Sequence, residues 1–555
     1  VINNQPANGN TNGVAAFANW GGNSTGSQYA DLLTGRIANY GEQTFNRLNN
    51  IGANIFEFFV QDDWKVNRRL TLNLGLRASR FGAWYDREGF GFAVFDPKLY
   101  VAGKGSTDFN GFTWNKRNSS YRNSGFGTKP LYLAPRFGFA YDVFGSGKTI
   151  LRGGWGQFFY SDFQFTVGLD VSAGVRSAGI NNTTFSELAA TRATGDLPTL
   201  AAGVNPNDDK RPKVQSYSFT IAQRLPGSSI MEVAYVGNKA TDTLNRTGPG
   251  AITNGINPNA VPAGALFRYP TQNNLDQSQI DATRPLQGYQ DLAIAAHTLY
   301  SNYNSLQISW IRTKGKANIN MNYTLGKNMG IVGNYDEFNL ANSYGPTGAD
   351  RRHVFNAAYS LELPKFVRGG SKIGGGIANG WQFSGITQIQ SGLNMTANTN
   401  GSFNTDFSSA TLANGEPINP STVWGTPSIV VRPLLTCNPA GDGSNQKFIN
   451  QNCFALPTQR GQSGPFVMPR VSGPAFFNSD LGLYKNFNIS ESKRIQFRFN
   501  AYNFLNHPLW SFISNSPNTR LVYNPATAKF DNSVFGITTE KQGRRVVMLT
   551  LKYYF

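Results

Sequence analysis

Few residues in this chain are spaced for bond chemistry. Residues 145–149 read GSGKT, the closing half of a phosphate-cradling loop. That loop needs another Gly five positions before Gly147, so that consecutive backbone N–H groups can surround a phosphate, and Asp142 stands there instead. Residues 22–26 read GNSTG, the G-x-S-x-G of a nucleophile elbow, which works only between a strand and a helix with a His in reach. Asn and Gly surround it here, so both matches read as turns. His297, His353 and His507 are isolated from one another, and no H-x-x-x-H or C-x-x-C spacing gathers metal ligands. Cys437 and Cys453 are the only cysteines, too few ligands for a metal site and suited to a disulfide if they face an oxidising space. No catalytic residue, metal or cofactor is expected, and no enzyme activity.

Composition points away from chemistry and towards a surface. Aromatics are abundant (Phe 41, Tyr 23, Trp 9), and charged residues are 15%, against roughly 25% in an ordinary soluble domain. The hydrophobic fraction of 40% is too high for a disordered chain. No run of about 18 apolar residues exists, so no helix is expected to cross a membrane. A mean hydropathy of −0.35 still leaves room for a transmembrane β-barrel, which is apolar only at alternate positions and carries polar loops.

The order along the chain fits that exception. Leu70, Leu72, Leu74 and Leu76 alternate with Thr71, Asn73, Gly75 and Arg77. Ile319, Met321, Tyr323 and Leu325 alternate with Asn320, Asn322 and Thr324, and Ile495, Phe497 and Phe499 with Gln496, Arg498 and Asn500. Period-2 patterning of this kind predicts strands at 51–66, 70–82, 135–144, 149–160, 215–226, 229–241, 302–313, 317–327, 353–364, 380–392, 476–489, 494–506 and 545–555. The connections alternate in length. Short turns at 67–69, 145–148, 227–228, 314–316 and 490–493 face long loops at 83–134, 161–214, 242–301, 328–352, 393–475 and 507–544, and the Gly-rich 365–379 is the longest on the short side. Outer-membrane barrels have short periplasmic turns and long extracellular loops. The expected fold class is therefore all-β, an antiparallel transmembrane β-barrel. Residues 51–555 form its wall, and 1–50 form an extracellular loop with a candidate ascending strand within 36–48. Thirteen or fourteen strands, with Val1 rather than Met at the start, read as the C-terminal part of a larger barrel.

Chemistry of a different kind sits at the chain end. Val547, Leu549, Leu551, Tyr553 and Phe555 share one face of the last strand and end in an aromatic terminus. They are similar to the assembly signal of bacterial outer-membrane barrels, which implies the barrel-insertion machinery as a partner. Trp310, Trp381, Tyr553 and Phe555 suit an interfacial girdle, while Trp84, Trp114, Trp155 and Phe159 are candidates for loop packing or ligand stacking. The net charge of +18 could signal nucleic acid, but no basic run of five occurs. Arg68, Arg69, Lys148, Lys314, Lys316, Lys365, Arg368, Lys372, Lys493 and Arg494 lie at expected turns, and Arg77 and Arg498 on lumen positions. Outer-membrane lipid and lipopolysaccharide are the expected partners, not nucleic acid. The loop cysteines Cys437 and Cys453 then face the oxidising exterior, where a disulfide closing a loop of that size stabilises by about 3 kcal/mol.

Several segments resemble TonB-dependent receptors, specifically the Oar-like group with a carboxypeptidase-regulatory-like N-terminal domain. FFVQDDWKVNRRLTLNLGLR at 58–77 resembles their mid-barrel hairpin, and VQSYSFTIAQRLPGSSIMEVAYVGNKAT at 214–241 a later one. SNYNSLQISW at 301–310, DRRHVFNAAYSLELP at 350–364, GWQFSGITQIQSG at 380–392 and RIQFRFNAYNFLNHP at 494–508 continue the resemblance in order. It implies a 22-stranded wall with an upstream plug and TonB-contacting segment, a Cys pair in this loop, and import of a large, scarce extracellular ligand whose identity the loops do not give. The alternative is a non-transporting surface or adhesive protein on the same barrel.

Overall fold

The computed structural model describes residues 14–17, 22–43, 50–105, 107–161, 177–191, 201–245, 256–331, 336–367, 372–395, 403–489, 493–512 and 517–555. Thirteen long strands build one antiparallel barrel sheet. They are β1 (Ile55–Lys65), β2 (Leu70–Phe81), β3 (Tyr132–Asp142), β4 (Thr149–Phe159), β5 (Lys213–Leu225), β6 (Ser229–Asn245), β7 (Leu292–Lys314), β8 (Ala317–Ile331), β9 (His353–Glu362), β10 (Trp381–Gln390), β11 (Phe476–Asn488), β12 (Arg494–Tyr502) and β13 (Val546–Tyr554). Each pairs with its neighbour in sequence, residue against residue, from β1 to β13. All thirteen expected strands are present, and no helix among the described residues is long and apolar enough to cross a membrane.

Register converts the period-2 pattern into two chemically distinct faces. Ile308 on β7 lies between Val233 and Tyr323, and the row continues through Ile221 and Phe355. Near the other end of the sheet, Phe383, Leu483, Phe499 and Leu549 form a similar row. Side chains one residue along point the other way. On that second face Arg152 pairs with Glu232, Asn73 with Asp63, Gln382 donates to Ser360, and Arg498 to Gln496. The apolar face is the membrane side and the polar face the lumen.

Aromatic side chains smooth the membrane face by lying over glycines of neighbouring strands. Phe139 covers Gly153, Tyr217 covers Gly237 and Tyr359 covers Gly385; a Cβ at any of the three would come within 2.4 to 2.7 Å of the covering side chain. Alanine at these positions would lift the ring off the wall.

The short turns are closed by local polar groups. Asn67 Oδ1 accepts the N–H groups of Arg69 and Leu70 at 2.8 and 3.0 Å. Pro226, Gly227 and Ser228 link the paired Leu225 and Ser229, and Gly227 and Ser228 both take positive φ, 73° and 56°, which lets the chain reverse tightly. The GSGKT segment is such a turn. The Asp142 carboxylate accepts from Gly145 N–H at 3.0 Å and Gly147 N–H at 2.8 Å, so an aspartate occupies the place of an incoming anion.

Two expectations change. The strand expected within 36–48 forms at Arg36–Gln43, but it pairs with Val14–Ala16 and Ser177–Thr184 in a separate three-stranded sheet, not with the wall. Residues 44–48 lie outside the described residues. β7 starts at Leu292 rather than 302, because its first residues, at the loop end, leave the membrane band and enter a buried loop core. Leu292, Ile294, Ala295 and Ala296 are all buried there.

The face assignment has a direct check. Arginine at Ile308, in the middle of the apolar band, is expected to cost about 2–4 kcal/mol of barrel stability. Arginine at Gln307, on the lumen face of the same strand, should cost little. The measurement is the folded, heat-modifiable band on semi-native gels against urea concentration, and equal losses from both variants would refute the assignment.

Candidate functional site

The candidate site is the assembly of long loops at one end of the wall together with the lumen surface beneath it. Loops in water cannot rely on lipid for order, and these build their own cores. In the first, Val94, Phe95, Phe112 and Trp114 from the β2–β3 loop pack on Val204 from the β4–β5 loop and on Tyr289, Leu292 and Ile294 at the base of β7. Ala201–Val204 runs parallel to Leu292–Ala295 and stitches the three segments together. In the second, Met395, Phe403, Ile449, Phe454, Met468 and Val471 of the β10–β11 loop enclose Leu521, Phe530 and Phe535 of the β12–β13 loop. Phe403, Phe454 and Phe535 meet edge to face in all three pairs. Each fully buried side chain of this size is worth roughly 1.5–3 kcal/mol. A third core, of Ala410, Leu412, Ile418, Val423 and Val431, lies within the β10–β11 loop itself.

Backbone bonds join these bodies. Gly264 and Leu266, in the β6–β7 loop, donate to the carbonyls of Trp424 and Gly425 at 2.8 and 2.9 Å, and Thr426 Oγ1 donates to the Val261 carbonyl at 2.6 Å. Arg460 pairs with Glu416 at 2.6 Å, donates to Gln272 and stacks 4.8 Å over the Phe267 ring. A disulfide joins Cys437 to Cys453, with Cα atoms 4.9 Å apart, beside the second core. The β2–β3, β4–β5, β6–β7, β10–β11 and β12–β13 loops thereby share contacts as a folded cap.

Buried charges lock the cap to the strand ends. Asp208 of the β4–β5 loop accepts from both the N–H and the ring Nδ1 of His297 on β7, at 2.7 and 2.8 Å. Burial by itself would raise the Asp208 carboxyl, but the His297 bonds and charge outweigh it and hold the group below the usual aspartate range. Asp350 is buried before β9. It accepts from the Asn328 N–H at 2.8 Å and pairs with Arg470 at 2.9 Å, joining the β8–β9 and β10–β11 loops. Arg284 bonds Asp281 and Asp291 at 2.8 and 2.6 Å, and Asn257 bridges Asp291 and Glu337 at 2.9 and 3.2 Å. Burial first, and then the Asp291 charge, push Glu337 up to about 7.

Below the cap, the lumen face holds a concavity of about 550 Å³ lined by Asn320, Ser360, Ser384, Asp480, Tyr484 and Asn500. Ile311, Ala358 and Ile386 help make its exposed lining mainly apolar, with Asp480 the one carboxylate among its amide and hydroxyl groups.

The residues singled out in sequence are dispersed. Ser24 of GNSTG donates to Asp31 at 2.6 Å, a helix-entry contact. His353 Nδ1 lies 2.7 Å from the Tyr323 hydroxyl on the outward face, and the His507 ring packs edge-on to Phe477. Trp114 is in the first loop core, whereas Trp155 and Phe159 belong to the wall strand β4 and not to a loop. Val547, Leu549, Leu551, Tyr553 and Phe555 are all exposed. The buried Asp208 and Arg284 and the half-buried Glu337 and Arg470 were not singled out, because no local motif spacing marks them and most of their partners lie in other loops or strands.

Glu337 gives the cap a pH dependence of known sign. Between its ordinary 4.5 and about 7 only the folded cap holds this proton, so raising the pH through that window weakens the contact between the β6–β7 and β8–β9 loops. The loss amounts to at most about 3 kcal/mol. Hydrogen-exchange protection of residues 336–345 is expected to fall from pH 5 to pH 8, after correction for intrinsic exchange, and Glu337→Gln should remove the dependence.

Among solved structures the chain is similar to the ferric-catecholate import receptor Fiu from K12 E. coli (8% identity, TM-score 0.38, 93% of this chain and 45% of that one). It is similar also to the siderophore receptor PiuA from Acinetobacter baumannii (8%, 0.38, 93% and 44%) and the outer membrane transporter YddB from Escherichia coli (9%, 0.37, 93% and 54%). The chain thus spans about half the length of these structures. No curated protein matches it. The family model described as outer membrane beta barrel domain matches residues 1–547, so the chain belongs to that family and its place is the bacterial outer membrane.

Proposed function

We propose that this chain is the barrel portion of a TonB-dependent outer-membrane transporter of the Oar-like group, which captures and imports a large, scarce extracellular substrate. The observation that carries the reading is the folded cap. Five long loops share hydrophobic cores and backbone bonds over a polar lumen face. A surface this large and this ordered suits capture of one sizeable solute, and the ordered run of receptor-like segments from 58 to 508 supports it. On this reading the outer strands β1 and β13, exposed on both faces, meet further wall strands of a 22-stranded barrel. An upstream plug closes the lumen and carries the TonB contact. The mechanism is gated binding and plug movement. Energy enters through TonB and no covalent bond changes. The exposed face of β13 ending in Phe555 serves the insertion machinery.

The test uses the full-length protein in an outer membrane, with uptake measured for a panel of ferric siderophores, cobalamin and oligosaccharides. One class is expected to accumulate, to stop accumulating when TonB is deleted or the proton gradient is collapsed, and to lose binding when residues 403–471 are replaced by a short linker. No energised uptake of any class, together with cell-surface attachment that depends on the cap, would replace the proposal with a non-transporting surface role.

A further inference from the structure

The membrane-side face of β5–β8 changes character towards the loop end. In mid-membrane it is apolar: Phe219, Tyr235, Leu306 and Leu325 are in register. One and two pleats further out, the same face carries Gly237, Asn304 and Lys327, then Lys239 and Asn302. Asn304 Oδ1 accepts from the Tyr217 hydroxyl at 2.7 Å and the Tyr235 hydroxyl at 2.8 Å. This fixes the amide so that its nitrogen is the group left to donate. Gly237 forms the floor beneath Tyr217 and Asn304, since a Cβ there would come within 2.8 Å of both. Asn302 donates to the Tyr344 hydroxyl at 2.6 Å. Lys239 and Lys327 are exposed, and neither has an acidic partner among the described residues.

The patch is selective by charge. Strands β5–β8 carry two carboxylates. Glu232 faces the lumen and pairs with Arg152, and Asp242 is engaged by Lys213 and Lys210 at 3.6 and 4.0 Å. What remains outward is two ammonium groups and an amide, all donors. Strand spacing and pleat put the Lys239 and Lys327 Cα atoms about 12 Å apart, within joint reach of a phosphorylated headgroup.

Depth decides which leaflet supplies it. Arg312 marks the inner end of the β7 membrane face and Asn302 the outer end. At about 3.3 Å per residue and a tilt near 45° they are about 24 Å apart along the membrane normal, close to the height of an outer-membrane apolar band. Lys239 and Lys327 therefore stand at the outer interface, beneath the loop cap. We infer that Lys239, Lys327 and Asn304 form a binding site for the phosphorylated headgroup of an outer-leaflet glycolipid of the lipopolysaccharide type, held against the Tyr217–Tyr235 pair. This rests on the outer-membrane location and not on the transport reading.

Full-length protein extracted from outer membranes in mild detergent provides the test, with bound lipid counted by native mass spectrometry. Each charge-assisted contact is worth about tenfold in affinity. The Lys239→Gln, Lys327→Gln double variant is expected to lose at least that much glycolipid occupancy, while the double Lys→Arg variant and the inner-turn Lys316→Gln variant keep it. A heat-modifiable band shows that each variant is folded. Unchanged occupancy in the double Gln variant would overturn the inference. So would equal retention of dephosphorylated glycolipid, or equal displacement by phosphatidylglycerol, since either removes the phosphorylated glycolipid as the selected ligand.

Discussion

The governing constraint is that hydrocarbon offers no hydrogen bonds. Every backbone N–H and C=O within the membrane must find its partner in the protein, and a β-sheet does this only by pairing each strand with the next. The continuous registers between β1 and β13 meet that requirement at each of the twelve seams they form, residue by residue. Once it is met, side-chain alternation has no freedom left. Slipping any strand by one residue would put Gln307 in lipid and Ile308 in the lumen, so the pattern and the register enforce each other. The aromatic rings over Gly153, Gly237 and Gly385 then complete a surface that register alone leaves uneven.

Outside the membrane the constraint reverses. Water competes for loop backbones, so the hydrogen bonds that join the loops add little net drive and burial must supply most of the order. Phe535, Met468, Leu521 and Val471 are almost wholly buried although they lie in connections and not in the wall. The buried charges follow from the same placement. An ion pair such as Asp208–His297 or Asp350–Arg470 holds two loops in one arrangement, because leaving either partner alone in a buried site costs far more than the pair returns. The cap is thus a second folded layer fixed to the wall through strand ends such as the first residues of β7.

The two layers were legible in the sequence to very different degrees. Leu70–Leu76 or Ile495–Phe499 announce their strand because the solvent on each side is uniform, lipid or lumen, so the alternation is simple. The short turns were legible for a related reason. Asn67, Asp142 and Gly227 act on residues two to five positions away. The cap depends on partners far apart in the chain, Val204 on Phe95 or Arg284 on Asp291, and on small elements such as the parallel Ala201–Val204 strand that carry no period of their own. The strand near 36–48 shows the boundary between the two cases. Its residues do favour extended backbone, but its partners lie in Val14–Ala16 and Ser177–Thr184, and a strand's own sequence does not name its partner.

The basic excess of the chain also acquires an arrangement that its total conceals. Net charge alone admits a nucleic-acid surface, which would gather its lysines and arginines on one face. Here they are sorted by depth and by side of the wall. Arg69 and Lys316 stand at inner turns, Arg152 and Arg498 in the lumen among carboxylates and amides, and Lys239 and Lys327 on the outward face below the cap. A lysine in the middle of the apolar face would be expelled by desolvation, so outward-facing basic residues survive only at the two interfaces. Alternation sets which face a basic residue meets, and the membrane sets the depth at which it is tolerated. An excess of positive charge on such a wall is therefore driven into two belts and a lumen, and of these only the outer belt lies beside both the loops and the outer leaflet.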